Sequence, residues 1–364
     1  MSRAQRVPLL PLLPRAQKAL ETCGYCPKLC RGTCPVSNVL AREALIPWGK
    51  MSLAWFAARG DLKTDAETAE TSWGCTGCLA CTNFCEHKNP VAETLFAARS
   101  TYRDAGVAPP AVLESERRHG LRVAEAGNAL GALAREPGVR SDADVALLVG
   151  CGYLRKARPE ARAIVRSAVA LCGAVRLIPG CCGAPLLHAG DSVGFAAARA
   201  RILEATHGAQ TFVVGDPGCA LVLSEARPTP LVRLAAAHAQ KLARIPGLGQ
   251  RTAVRFHDPC ALGRGLAEYE SPRLVLGRAL GRAADEFDAQ RGEATCSGGG
   301  ALLPIAMPEA SARIAAARLL EHDRLGGGVL VTACASSLRR FRAQGSAAVD
   351  IATVIAQRLG LSHE

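Results

Sequence analysis

Cysteine is the residue whose number and spacing carry the most chemical information in this 364-residue chain, which contains sixteen of them. Eight form two dense runs near the N-terminus, and the second run has the spacing C-x2-C-x2-C-x3-C. Thiolates are soft donors that suit iron, and this spacing lets three of them on one loop wrap a four-iron cube. The two runs therefore predict a pair of [4Fe-4S] clusters and an electron-carrying protein.

The two runs are expected to exchange their fourth cysteines. In two-cluster domains the fourth cysteine of a run typically reaches the other cluster. One cluster is then predicted on Cys75, Cys78, Cys81 and Cys34, and the other on Cys23, Cys26, Cys30 and Cys85. The first run is one residue longer than usual, so its loop must bulge. Zinc on the same thiolates is the alternative, although zinc sites usually pair two C-x2-C knuckles that lie well apart.

Seven further cysteines are too dispersed for such a loop, but they recur in a common register. Cys219 lies 37 residues after Cys182, and Cys334 lies 37 residues after Ser297. The first set comprises Cys151, Cys181, Cys182 and Cys219, and the second comprises Cys260, Cys296 and Cys334. We predict a further iron–sulfur site on the first set. The second set is a candidate metal site that lacks one thiol, because Ser297 occupies the matching position.

The segments between these cysteines predict the fold class. Residues 23–108 are helix-like, with a helix-compatible composition from Asn38 to Leu45, and the long insert between the two runs favours an all-α helical ferredoxin domain over a compact ββ form. After a helical connector at 109–140, short apolar runs predicted as strands alternate with Ala- and Arg-rich helical stretches, which is typical of α/β architecture. The predicted strands are Val145–Val149, Val175–Ile178, Phe212–Val214, Val254–Phe256 and Val329–Thr332. This alternation occurs twice, over 141–246 and 247–364, and predicts an α/β domain made of two pseudo-symmetric repeats. Residues 1–22 are expected to form an N-terminal arm.

Three single residues outside these sets also need an interpretation. Cys172 has no counterpart in the second set and lies on an apolar helical face, so we interpret it as a core residue. His257 and His188 lie near the dispersed cysteines in sequence and are candidates for proton relay. The alternative for both is a buried histidine with a structural role.

Composition and charge exclude several classes of protein. The net charge is +12, but the basic residues are scattered, so nucleic acid is not an expected partner. No apolar stretch reaches the roughly 18–20 residues of a membrane helix. Many thiols without an export signal favour the reducing cytoplasm, with membrane association only through a partner.

Four stretches of sequence carry a family resemblance. They are Pro47-Trp48-Gly49-Lys50, Trp73-Gly74-Cys75-Thr76-Gly77-Cys78, Cys181-Cys182-Gly183-Ala184-Pro185 and His257-Asp258-Pro259-Cys260. With them the chain resembles the iron–sulfur subunits of heterodisulfide reductase, glycolate oxidase and anaerobic glycerol-3-phosphate dehydrogenase, in which a helical two-cluster ferredoxin domain precedes two cysteine-rich CCG repeats. The resemblance covers about residues 20–345.

The resemblance implies electron transfer between a flavoprotein dehydrogenase, or another electron-transfer subunit, and a disulfide, a quinone or a similar acceptor. A 2-hydroxy-acid dehydrogenase flavoprotein and a membrane-bound redox subunit are among the implied partners. The chain departs from the fullest heterodisulfide-type motif, because Val222 and Ser337 stand where a fifth cysteine would be. Two functions therefore stay open: an oxidoreductase subunit with a redox site in the CCG region, or a non-catalytic electron-transfer or docking subunit whose second repeat is structural. A zinc-stabilised binding scaffold is the third hypothesis.

Overall fold

The computed structural model describes residues 16–243 and 252–361, which divide into two compact units. The first unit combines the chain up to His119 with two later segments, Pro185–Phe195 and Thr295–Ala315. The second contains Gly120–Ala184, Ala196–Ala294 and the chain from Ala316 onward. The predicted repeat boundary at 246/247 and residues 1–15 of the predicted arm lie outside the described residues.

The N-terminal region is helical, as predicted. Its helices are α1 (Gln17–Gly24), α2 (Pro35–Leu40), α3 (Pro47–Ala58), α4 (Ala66–Trp73), α5 (Ala80–Phe84), α6 (Val91–Asp104) and α7 (Pro110–Arg117). Pro47 begins α3, because its ring fixes a helical φ and its missing N–H is not needed at that position. Gly60 follows the end of α3 with a left-handed φ of 74°, a conformation that glycine adopts at little cost.

Two local expectations for this region were wrong. Residues 17–22, assigned to the arm, are part of α1, because Leu20 is buried in the same apolar cluster as Met51 of α3. The stretch 38–45, expected as one helix, is the end of α2 followed by a 3-10 turn at Glu43–Leu45. Ala41 separates the two pieces, since its left-handed φ of 52° cannot continue a right-handed helix.

The described residues beyond this region form two small parallel sheets. The first consists of β1 (Val145–Leu148), β2 (Arg176–Leu177), β3 (Thr211–Val214) and β4 (Thr229–Pro230), in the order β2-β1-β3-β4. The second consists of β5 (Val254–Phe256), β6 (Val329–Thr332) and β7 (Val349–Asp350), in the order β5-β6-β7. The strands predicted at 145–149, 212–214, 254–256 and 329–332 are thus present. The two-residue strands β4 and β7 have no apolar run long enough to predict them.

Helices connect these parallel strands, as α/β architecture requires. They are α8 (His119–Leu133), α9 (Cys151–Lys156), α10 (Arg158–Cys172), α11 (Ala184–Ala189), α12 (Ser192–Ala205), α13 (Pro217–Val222), α14 (Leu231–Ala237), α15 (Glu270–Leu280), α16 (Leu303–Ala306), α17 (Pro308–Arg324), α18 (Ala335–Arg342) and α19 (Ile351–Arg358). A single π-helical turn at Ala261–Gly265 follows Cys260. Within the second unit α10 packs against α19, and α14 packs against α15. Cys172, predicted to be a core residue, is half-buried at the end of α10.

The sheets determine where the dispersed cysteines lie. Cys151 and Cys219 follow the neighbouring strands β1 and β3, and Cys260 and Cys334 follow the neighbouring strands β5 and β6. The carboxyl ends of parallel strands meet at one edge of a sheet, which is where open α/β sheets place their ligands. The fold therefore positions a pair of thiols at one edge of each sheet.

Candidate metal centres

The cysteines of the two N-terminal runs are not grouped by run. Burial is the largest cause that raises the pKa of the Cys23 thiol to about 12, and the charges of Cys30, Cys26 and Cys85 add to it. Burial and the charges of Cys26 and Cys85 likewise raise the pKa of Cys30. Cys85, from the second run, thus lies with three cysteines of the first. We call Cys23, Cys26, Cys30 and Cys85 the first thiol group.

Cys34 makes the opposite exchange. The pKa of Cys81 is raised well above its usual value, first by burial and then by the charges of Cys78, Cys75 and Cys34. We call Cys34, Cys75, Cys78 and Cys81 the second thiol group. The structure therefore brings together the same two sets of thiols that the crossed-ligand prediction proposed.

Local backbone geometry explains how short runs present so many thiols. Lys28, in the middle of the longer first run, has a left-handed φ of 67°, and this is where the predicted bulge lies. In the second run Gly77 and Leu79 have φ values of 65° and 60°. The N–H of Gly77 donates to Cys75 Sγ at 3.4 Å, which is the kind of contact that stabilises a thiolate ligand.

The first thiol group receives a neutral side-chain donor. Asn89 is 4% exposed, and its Nδ2 donates to Cys23 Sγ at 2.9 Å and to the carbonyl of Ala19 at 2.8 Å. Sequence analysis gave Asn89 no role, because an asparagine four residues beyond a cysteine run is also typical of a turn.

The second thiol group lies beside two buried cations instead. Lys50 is 2% exposed, and its Nζ donates to Cys34 Sγ at 3.2 Å and to the carbonyl of Gly74 at 2.7 Å. Burial alone would lower the pKa of Lys50, but the charges of Cys34 and the neighbouring thiols outweigh burial and raise it. Arg99 is fully buried, and its Nη2 donates to the carbonyl of Cys75 at 2.7 Å.

These cations indicate that the residues fit an anionic metal cluster. Among the described residues, neither Lys50 nor Arg99 forms an ion pair with a carboxylate. A buried charge without a counter-charge is costly, by several kcal/mol for each ion. Four thiolates on a [4Fe-4S] core carry a net negative charge, so a cluster held by the second thiol group would supply the missing anion.

A third thiol group lies in the second unit and comprises Cys151, Cys181, Cys182 and Cys219. The sulfur atoms of Cys151 and Cys181 are 3.8 Å apart. A hydrogen bond with Cys182 lowers the pKa of Cys219, but burial and the charges of Asp216, Cys151 and Cys181 outweigh it and raise the pKa to about 12. Gly180 and Gly183, with φ values of 104° and 82°, turn the chain on either side of the adjacent cysteines, as predicted. The four thiols predicted as ligands of the first repeat therefore lie together.

None of these groups is arranged around one small ion. Within residues 16–243 and 252–361, no three His, Cys, Asp or Glu side chains are placed to hold a single metal ion. A cube of four irons is larger than one ion, so its thiolates do not have to converge at single-ion distances.

The cysteines of the second repeat are divided between the two units. Cys260 and Cys334 belong to the second unit, where burial and then the charge of Asp216 raise the pKa of Cys334 to about 12. Cys296 belongs to the first unit, where its thiol donates to Thr76 Oγ1 at 3.7 Å and accepts the N–H of Gly298 at 3.2 Å.

The two candidate histidines, His257 buried and His188 half-buried, lie among apolar and cationic side chains. The ring of His188 packs on Phe96 with centroids 5.0 Å apart, and burial followed by the charge of Arg99 lowers its pKa to about 3. His257 is 1% exposed, accepts from Arg318 Nε at 3.4 Å, and has a pKa lowered well below its usual value by burial and by that cation. Both rings are thus neutral over the physiological pH range, which favours the structural role.

Two aspartates, Asp216 half-buried and Asp350 buried, lie near the strand ends of the second unit. Asp216 accepts the N–H groups of Gly218 at 2.9 Å and Ala335 at 3.3 Å, so it joins the loops that follow β3 and β6. Asp350 is 1% exposed, accepts from the Tyr153 hydroxyl at 2.7 Å, and has a pKa raised by burial to about 7. Sequence analysis missed these residues, since Asp216 and Asp350 are also ordinary caps of α13 and α19.

Comparison with known families agrees with this arrangement. Residues 19–89 match the family described as a 4Fe-4S dicluster domain. Residues 145–224 and 254–339 each match the family described as a cysteine-rich domain. No helix of the described residues combines the length and apolar character needed to cross a membrane.

Three relatives illustrate the extent of the similarity. The D subunit of dihydromethanophenazine:CoB–CoM heterodisulfide reductase from Methanosarcina mazei is 23% identical over 93% of both chains. Its counterpart in Methanosarcina barkeri is 23% identical over 94% of both chains. A probable membrane-anchored ferredoxin of Chromohalobacter salexigens is 33% identical, over 33% of this chain and 18% of its own length.

Proposed function

We propose that this chain is the iron–sulfur subunit of a redox complex. It belongs to the iron–sulfur proteins that join a 4Fe-4S dicluster domain to cysteine-rich CCG domains, and it is related to heterodisulfide reductase. In this proposal the chain relays electrons between a donor subunit and a redox site in its first cysteine-rich domain. A [4Fe-4S] cluster, when bound, accepts and releases one electron at a time. The protein supplies the thiolates, the burial and the hydrogen bonds that hold such a cluster.

The first and second thiol groups are the proposed ligand sets of the two [4Fe-4S] clusters. The observation that carries the proposal is that Cys34 and Cys85 are exchanged between the runs, since two crossed sets of four thiols suit two cubes. A zinc-stabilised scaffold is less well supported, because zinc sites usually pair two C-x2-C knuckles that lie well apart, whereas the second run has the spacing C-x2-C-x2-C-x3-C.

The third thiol group is the proposed site of an additional iron–sulfur cluster. Its support is the 3.8 Å approach of Cys151 and Cys181 together with the buried pair Cys182 and Cys219 at the edge of the first sheet. This group is the proposed terminal redox site on the chain, with a disulfide, a quinone or a 2-hydroxy-acid flavoprotein system as its exchange partner. The names of the heterodisulfide reductase relatives favour a disulfide within this class.

Assembly into a complex follows from the same relationship. The Methanosarcina relatives are each named as one subunit of an enzyme, which implies that other electron-transfer subunits accompany them. A flavoprotein dehydrogenase or a membrane-bound redox subunit would supply or accept electrons for this chain. We propose a cytoplasmic position for the chain, with any membrane association made through such a partner.

A second candidate function is a non-catalytic electron-transfer or docking subunit whose second repeat is only structural. Ser297 in the position of a thiol favours it. In this version the two domains form a pseudo-symmetric pair of which one copy has lost its metal.

Iron and sulfide quantification on anaerobically purified protein, combined with electron paramagnetic resonance, tests the proposal. Eight irons per chain support the two cubes alone, and appreciably more support a cluster on the third thiol group. Cys78→Ala should remove one cubane signal and destabilise the N-terminal region, because cluster binding and folding are coupled. Cys172→Ala is the matched control, since Cys172 belongs to none of the three groups. Survival of both cubane signals in the Cys78 variant would contradict the ligand assignment.

A further inference from the structure

The two thiol groups of the N-terminal region differ in the charge that surrounds them. The first receives the neutral amide of Asn89, and the second lies beside the cations Lys50 and Arg99. We propose that Lys50 and Arg99 give the cluster of the second thiol group the higher reduction potential, so that electrons entering the protein collect there. The inference rests on the proposed function, because it assumes a cluster on each group.

Lys50 acts at hydrogen-bond distance from a ligand atom. It lies in α3, and its Nζ is 3.2 Å from Cys34 Sγ and 2.7 Å from the carbonyl of Gly74. Both contacts fix the ammonium group against the second thiol group, and its 2% exposure leaves it little screening by water. Its positive charge is therefore directed at the cluster and not shared with a carboxylate.

Arg99 is also held beside the second thiol group. Its five N–H groups donate to the carbonyls of Ser72, Cys75, His188 and Ala301, with two of the five bonds going to Ser72. Every donor is thus used on a neutral acceptor, and the guanidinium keeps its full charge. Phe96 and Trp73 lie against it, with ring centroids 4.8 and 5.6 Å from its central carbon.

The cations near the first thiol group do not act in the same way. Lys28 lies 3.6 Å and Arg31 2.6 Å from the carboxylate of Glu43, and all three side chains are more than a third exposed. Paired and solvated charges have little net effect on a neighbouring site. Cys26, Cys30 and Cys85 are partly exposed, and contact with water also raises the reduction potential of a cluster. Water stabilises the added charge less than an unpaired cation in contact with the ligand does.

The electron balance makes the sign of the effect clear. Reduction adds one electron, supplied by the donor subunit, and changes no bond to the chain. A cluster held by the second thiol group would gain one negative charge on reduction, and Lys50 and Arg99, as fixed neighbouring cations, would stabilise the reduced form more than the oxidised form. Lys50 and Arg99 therefore raise the potential at the second thiol group, while Asn89 adds only a dipole at the first.

A redox titration followed by electron paramagnetic resonance on the anaerobically purified full chain tests the inference. Cys26→Ser and Cys81→Ser assign the two signals, since a serine ligand alters the spectrum of the cluster that it binds. The signal altered by Cys81→Ser should be the one that is reduced at the higher potential in the unsubstituted protein. The reverse order overturns the inference, and this measurement does not depend on a Lys50 variant being able to fold.

Lys50→Gln then separates charge from hydrogen bonding, because glutamine can still donate. We expect it to shift the signal of the second group to lower potential and to leave the other signal in place. Lys63→Gln, at an exposed position of the same unit, is the control and should move neither. Unchanged potentials in Lys50→Gln overturn the inference alone. The absence of any cubane signal in the unsubstituted protein overturns the proposed function as well.

Discussion

The two cysteine-rich repeats share a pair of neighbouring parallel strands that each lead into a cysteine, and they differ in their remaining cysteines. In both, a thiol follows each of two neighbouring parallel strands: Cys151 and Cys219 after β1 and β3, and Cys260 and Cys334 after β5 and β6. The first repeat adds an adjacent cysteine pair in the same compact unit, and the second adds one cysteine and Ser297 in the other unit. The comparison teaches that the sheet preserves the positions of strand-end cysteines even where a complete ligand set is absent.

The largest expected difference between the repeats is in bound iron. Changing Cys181 and Cys182 together to serine should remove all of the iron in excess of the two cubes, because a hydroxyl is far harder to deprotonate than a thiol and is a harder donor. Changing Cys260 and Cys334 together to serine is the matched control and should leave the iron content unchanged. Equal losses in the two variants would show that both repeats hold metal.

The next effect concerns the segments that follow each set of cysteines. Arg99 donates to His188, beyond the cysteine pair of the first repeat, and to Ala301, beyond Cys296 of the second. Arg99→Met leaves these carbonyls without a donor and removes one of the two buried cations beside the second thiol group, so we expect a loss of about 3–5 kcal/mol in stability. Arg103→Met, on the same helix but in a partly exposed pair with Glu116, should cost about 1 kcal/mol or less.

Thermal unfolding and limited proteolysis of the anaerobic proteins measure this difference. Cleavage within both segments, 185–195 and 295–315, should become faster in Arg99→Met. Faster cleavage in one segment alone would mean that only one repeat depends on this arginine.

A smaller effect links the repeats through a buried acid. Asp350, the last residue of β7 in the second sheet, accepts from Tyr153, which follows Cys151 in the first repeat. Its pKa is about 7 in the folded chain and close to 3.9 in an unfolded one, so the folded state binds the additional proton between these values. This contribution to stability is complete below about pH 4 and is lost as the pH rises to 7.

Asp350→Asn should remove that dependence, because asparagine does not titrate and still caps a helix. Melting temperatures at several pH values between 4 and 8, compared with those of the unsubstituted protein, provide the test. Parallel pH profiles for the two proteins would show that Asp350 does not hold a proton in the folded state.

The smallest effect is expected at Ser297. Ser297→Cys restores the thiol that the register of the first repeat predicts, and we expect the iron content to stay unchanged, as it should in a second repeat that is only structural. Iron analysis of the variant measures this directly. A gain of iron would show that the second repeat retains a site that only one substitution has emptied.

The elements that sequence analysis predicted best are those defined by local pattern. Cysteine spacing predicted which thiols lie together in the first three groups, and apolar runs predicted β1, β3, β5 and β6. Two-residue strands such as β4 were not predicted, since their pairing depends on a neighbouring strand and not on their own composition.

The residues that sequence analysis missed act through backbone contacts over long separations. Arg99 bonds to carbonyl oxygens, which every residue has, so nothing in the sequence of its partners marks them. Lys50 was part of a recognised motif, but its burial beside Cys34 could not be inferred from spacing. Segments 185–195 and 295–315 belong to the first unit because of contacts of the same kind. A prediction made of continuous domains cannot assign such separate segments to one unit.

The bond between Arg99 and Ala301 has a consequence for biosynthesis. Its two partners are 202 residues apart, and a ribosome adding roughly 5–20 residues per second needs about 10–40 s to make that stretch. During this time the nascent N-terminal helices lack the segment that completes their packing around Arg99. Their eight cysteines are then in an incompletely packed region. Metal insertion into this part of the chain is therefore expected to be largely post-translational, and the waiting period is when its thiols are most open to oxidation and to the wrong metal.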